Sequence, residues 1–98
     1  PVRVETAAEV IAKKMYHRGD RATARDLFDL AMVVEREPEA LVAAAPLLMR
    51  HRDRFLEQIR QPGAGFVATF NAIAATGYRP SLAHCVELAT AYLSELKD

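Results

Sequence analysis

The chain has 98 residues, 51% hydrophobic and 27% charged, with thirteen lysines and arginines balanced by thirteen aspartates and glutamates. That length and composition suit one globular domain with a modest core. The zero net charge removes any global field drawing it to nucleic acid or a membrane surface, so such binding would need a local patch. One cysteine, Cys85, excludes an intrachain disulfide and a multi-cysteine zinc site, and suits a reducing cytoplasm. No apolar run approaches the roughly 18 residues of a membrane span, and no signal peptide is visible. The chain opens on Pro1 rather than methionine, so a processed or excised piece of a longer protein is expected.

Val2 and Val4 alternate with Arg3, which suits an extended lead-in or a short edge strand. Thr6 and Glu9 have capping-box spacing and predict a helix start. Ala7, Val10, Ile11 and Met15, with Ala8 beside them, form its buried stripe, and Gly19 and Asp20 end it. Thr23 and Asp26 repeat the capping spacing. In the helix that follows, Leu27, Leu30, Ala31 and Val34 share one apolar face, which Phe28 and Met32 widen. Arg25, Asp26, Asp29 and Arg36 occupy the remaining arc, so this helix is expected to be central.

Pro38 suits the first turn of a third helix, with Leu41, Val42 and the alanine run packing inward. Pro46 should break it and leave a separate segment from Leu47 to Ile59, whose apolar side is Leu48, Phe55, Leu56 and Ile59. Gln61 to Gly65 is the clearest loop. Phe66, Val67, Phe70, Ile73 and Ala74 predict a short helix stopped by Gly77. Pro80 opens a last one, with Leu82, Val86, Ala89, Leu93 and Leu96 at spacings of four and three. The expectation is an all-α fold, a compact bundle of five or six short helices. Residues 1–98 would be one helical domain, with 6–36 a helical hairpin and 37–98 a helical tail.

Lys14 lies at the margin of the first stripe, where its stem can run along apolar surface with the ammonium in a cleft or simply in solvent. Lys13 points to a different, solvated face. Asp26 and Asp29, three apart, project from one side of the second helix and suit a metal ion, a lysine or an arginine. Asp26 also stands where a first-turn carboxylate caps a helix or meets its dipole; Asp29 lies deeper and calls for a specific partner. Arg18, Arg21 and Arg25 surround the intervening loop. With Lys14 they suit phosphate near a helix N-terminus, or a solvated turn paired with Asp20, Asp26 and Asp29. Arg50, His51, Arg52 and Arg54 could face RNA phosphates, although Asp53 interrupts them as in a solvated surface. His17, His51 and His84 lack metal-site spacing, and Cys85 suits a packed thiol better than a nucleophile.

Glu9-Val10-Ile11-Ala12-Lys13-Lys14-Met15, followed by Arg18 and Arg25-Asp26-Leu27-Phe28-Asp29-Leu30, resembles the later motifs of the AbiEii/AbiGii nucleotidyltransferase toxins of type IV toxin–antitoxin systems. There a helix of the form E-x-x-A-x-K-(L/M) precedes an arginine and an R-D-(L/x)-x-D-(L/x) helix. The likeness spans about residues 3 to 36, a third of the chain. It implies the C-terminal helical part of an enzyme that moves a nucleotide from a nucleoside triphosphate onto RNA or protein. Lys14, Asp26 and Asp29 would be its catalytic residues, and Lys14, Arg18 and Arg25 its nucleotide contacts. Lys14 would stand near the triphosphate with Asp26 beside it, supported by Asp29 and Arg25.

The resemblance also implies Mg²⁺ held by an earlier Gly-Ser and Asp-x-Asp region, neither of which occurs in this sequence. A competing expectation is a non-catalytic interaction domain, bound to an antitoxin or to a second copy through the face from Leu82 to Leu96. Because the metal-binding carboxylate pair is missing, these 98 residues alone should transfer no labelled nucleotide from any triphosphate with Mg²⁺. Metal-dependent transfer by the isolated chain would overturn that expectation.

Overall fold

The computed structural model describes residues 7–21, 23–73 and 81–96. Six α-helices make up most of them: α1 Ala7–Arg18, α2 Ala24–Arg36, α3 Ala45–Met49, α4 Arg52–Arg60, α5 Ala64–Ala72 and α6 Leu82–Ser94. Short 3-10 turns at Gly19–Arg21 and Pro38–Leu41 join the early helices, and no strand occurs among the described residues. The all-α expectation therefore holds.

Local chemistry explains the boundaries. Thr23 is the N-cap of α2, with extended backbone, and its Oγ1 accepts the Asp26 amide at 3.1 Å, satisfying one otherwise unpaired donor. At the other end the Glu37 amide donates to the Val33 carbonyl at 2.7 Å. Pro38 follows, and the clash it would make disfavours helical backbone at Glu37. Ser81 caps α6 in the same way as Thr23 caps α2, accepting the His84 amide at 3.1 Å. The readings at Pro1–Thr6, Ala74, Gly77 and Pro80 lie outside the described residues.

Helix α2 is the hub, as its pattern predicts. It packs on α1, α5, α6 and the Pro38–Leu41 turn. Ala24, Leu27, Phe28, Leu30, Ala31 and Val33 are all buried, with Met32 and Val34 half-buried at the edge. α1 contributes Ala8, Ile11, Ala12 and Met15, α4 contributes Phe55, Leu56 and Ile59, and α6 contributes Cys85, Ala89 and Leu93. The face of α6 considered for an outside partner is thus largely consumed inside the chain. Its Leu82 and Val86 remain half-buried beside a shallow apolar groove shared with Ile59 and Pro62.

Several expectations need correction. Val10 is 40% exposed rather than part of the stripe, because the buried arc of α1 centres on Ala8, Ile11, Ala12 and Met15. Asp26 leaves the polar arc of α2 and is buried, since it starts the most enclosed helix in the fold. Pro38–Leu41 makes only a 3-10 turn, so Leu41 points inward while Val42 is 71% exposed. Pro46 sits in the first turn of α3 instead of ending a longer helix. The single segment expected from Leu47 to Ile59 divides at Arg50–His51, with His51 the N-cap of α4. The loop is also shorter than predicted, with Gly65 already inside α5.

Leu30→Ala should therefore destabilise the chain by about 2–5 kcal/mol, while Val42→Ala should stay within about 0.5 kcal/mol. Urea denaturation of both variants checks this; equal effects would remove α2 from the centre of the core.

Candidate nucleotide-contact site

Two acidic side chains on α2 meet three basic ones from α1 and α2. Arg18 Nη2 lies 2.9 Å from Asp26 Oδ1, within hydrogen-bond distance. Lys14 Nζ lies 3.9 Å from Asp29 Oδ2, and Arg25 Nε lies 3.2 Å from Asp29 Oδ1 along the same helix. The order follows from the chain's reversal at the Gly19–Arg21 turn. Lys14 and Arg18 stand one turn apart on α1, and Asp29 and Asp26 about one turn apart on α2. When one helix runs back along the other, the pair nearest the turn is Arg18–Asp26 and the next is Lys14–Asp29. The carboxylate beside Lys14 is therefore Asp29, where the resemblance implied Asp26.

The two pairs differ in environment. The Asp26 side chain is 4% exposed, so its charge depends on Arg18 for compensation. Asp29 is 20% exposed and is shared between Lys14 and Arg25. Arg25 also places its guanidinium 5.7 Å from the centroid of the Phe28 ring. Phe28 in turn meets Phe70 of α5 edge-on, with ring centroids 6.1 Å apart.

Arg21 pairs only loosely with its neighbour Asp20, at 3.7 Å, and its side chain is 77% exposed. The pairing of all three arginines with Asp20, Asp26 and Asp29 matches the solvated-turn alternative. It does not exhaust the cations, because Lys14, Arg18 and Arg25 remain 35%, 44% and 59% exposed. They also outnumber the two carboxylates they engage. The cluster thus keeps donors for an anion, beside the positive end of α2. Among the described residues, no group of three or more His, Cys, Asp or Glu side chains could hold a metal ion.

The Arg50–Arg54 run does not form one basic face. Arg50 lies 4.6 Å from the Tyr16 ring centroid and donates to the Tyr16 carbonyl at 3.3 Å. Arg52 turns the other way, donating to the Leu96 carbonyl at 2.6 Å beyond the end of α6. Cys85 is buried, and His84 lies 3.8 Å from Glu35.

Two contacts at the site's border escaped the sequence reading. Gly19 is buried with no room for a side chain, since a Cβ there would lie 2.8 Å from the Cβ of His51. Gln58 Nε2 donates to the Asp20 carbonyl. Neither contact has a local pattern, because each joins the turn to α4 across more than thirty positions of the sequence.

Compared with protein-family models, residues 1–96 match the nucleotidyl transferase AbiEii toxin of type IV toxin–antitoxin systems. The chain belongs to that family. The match extends beyond the motif-bearing first third and includes nearly all of the helical tail. No curated protein and no solved structure matches the chain. In this AbiEii-family chain, Asp26→Asn should cost about 1–3 kcal/mol, because it neutralises a buried, charge-paired acceptor. Asp29→Asn should cost no more than about 1 kcal/mol at its more solvated site. Comparable losses in chemical denaturation would contradict the assignment of Asp26 as the buried anchor.

Proposed function

We propose that this chain is the helical portion of a nucleotidyltransferase that moves a nucleotide from a nucleoside triphosphate onto an RNA or protein acceptor. It contributes cationic contacts to the triphosphate, and the metal-binding carboxylates come from another part of the enzyme. The observation that carries this reading is the pairing of α1 cations with α2 carboxylates. Each acid restrains a cation, while the cations retain exposed surface for phosphate oxygens.

Lys14 supplies a compact charge to the triphosphate, and Asp29 orients its ammonium. Arg18 supplies planar donors suited to phosphate, anchored through Asp26. Arg25 adds a third donor beside Asp29. Held in place before substrate arrives, these groups offset phosphate charge without reorganising during the reaction. Mg²⁺ bound elsewhere in the enzyme would polarise the phosphoryl group.

A second reading, contact with an antitoxin protein, is supported by the family and by the groove beside Leu82 and Val86. It predicts that Val86→Glu weakens antitoxin binding while leaving triphosphate KM unchanged. In the full-length transferase, Lys14→Ala and Arg18→Ala should each lower kcat/KM for the triphosphate by about tenfold or more, the worth of one charge-assisted contact. Combining Lys14→Ala with Asp29→Asn should lose less than the sum of the single effects, because the two residues act together. Wild-type kinetics in both alanine variants would remove the cluster from the nucleotide site.

A further inference from the structure

The Gly19–Arg21 turn is gripped from the far side of the sequence. At one point α4 begins against it, with the His51 Cβ where a side chain on residue 19 would stand. At another, two helical turns along α4, the Gln58 amide donates to the Asp20 carbonyl. The turn directly follows Arg18, the last residue of α1. Arg18 itself must satisfy the buried Asp26 while keeping 44% of its side chain exposed. A long arginine can adjust its head group, but moving the backbone beneath it changes which of those demands it meets.

We propose that Gln58 and His51 are positioning residues. Through the Gly19–Arg21 turn they set the end of α1 and hence the placement of Arg18 at the triphosphate. The proposal rests on the nucleotide-contact reading above, and it gives part of the helical tail a role in the geometry of the motif. The chemistry is passive: a donor on the Asp20 carbonyl and a methylene against Gly19 remove freedom from the segment that carries the cation. Arg18 meets the triphosphate from the end of α1, so slack at this turn weakens substrate binding and is read in KM.

The test uses the full-length transferase and steady-state kinetics with its nucleoside triphosphate. Gln58→Met keeps side-chain bulk and removes the donor; Gly19→Ala inserts the Cβ that His51 obstructs. Each should raise the triphosphate KM by about fivefold or more with kcat changed less than about twofold, as expected for lost ground-state positioning. In an Arg18→Ala background, Gln58→Met should add no further rise in KM, because its effect runs through Arg18. His51→Gly should restore the KM of Gly19→Ala by removing the obstructing Cβ. If Gly19→Ala does not fold, Gln58→Met alone and in the Arg18→Ala background decides the matter.

A wild-type KM in Gln58→Met, with a raised KM in Arg18→Ala, would overturn the clamp and leave the site reading intact. A Gln58→Met effect fully additive with Arg18→Ala would also overturn it, since a general loosening of the fold behaves that way. An unchanged KM in Arg18→Ala itself would remove Arg18 from the triphosphate and overturn the clamp with it, while Lys14→Ala would still test the site reading.

Discussion

A carboxylate buried at the start of the most enclosed helix constrains much of the surrounding structure. Asp26 is the buried charged side chain among the described residues, and the guanidinium of Arg18 lies 2.9 Å away. Leaving such a charge without a partner would cost several kcal/mol. The end of α1 must therefore lie beside the start of α2, with a turn short enough to bring Arg18 back to Asp26. Once that contact is made, the register of the two helices follows, and Lys14 comes to Asp29 one turn further along. The capping hydrogen bond from the Asp26 amide to Thr23 fixes the same residue through its backbone. Fold and electrostatics agree at this point, as they should in a sequence whose local and global preferences do not conflict.

The tail completes this arrangement rather than forming a separate layer. α5 brings Phe70 against Phe28, which also carries the Arg25 guanidinium on its ring. α6 lays Cys85, Ala89 and Leu93 into the core on α2, and α4 closes over the Gly19–Arg21 turn. Arg52 connects α4 to the end of α6 through the Leu96 carbonyl. An arginine used in this way satisfies a carbonyl at a helix end, where hydrogen-bond partners are scarce. The charge-rich stretch around it consequently serves packing and helix termination as much as surface charge.

Much of this was legible in the sequence, in places where the controlling physics is local. The capping spacing at Thr23, the apolar wheel of α2 and the stop after Arg18 all depend on residues within a turn or two of one another. The cluster's membership was legible for the same reason, from charges that generic core packing does not require. Its pairing was not: Asp26 or Asp29 could serve Lys14 until the register of the helices was known. Pro38 was read as opening a helix and Pro46 as breaking one, whereas Pro38 opens only a 3-10 turn and Pro46 lies in the first turn of α3, because residue type alone does not show whether a turn or a helix will follow. Asp26 was misplaced on the polar arc because a helical wheel records direction and not how many neighbours enclose the helix. The contacts of His51 and Gln58 with the turn were invisible for a stronger reason, since neither residue has any spacing that relates it to Gly19 or Asp20.

That contrast bears on how a motif works inside a fold. The motif supplies the charged side chains, a lysine, two arginines and two aspartates on adjoining helices. Long flexible cations do not by themselves make a precise anion site, because their entropy opposes any one arrangement. Precision has to be imposed on the backbone that carries them and on the acids that restrain them. Here α2 restrains the acids through the core, while α4 restrains the turn through a contact so close that residue 19 has no space for a Cβ. The tail thus supplies surfaces that pack on the motif helices, α5 and α6 on α2 and α4 on the Gly19–Arg21 turn.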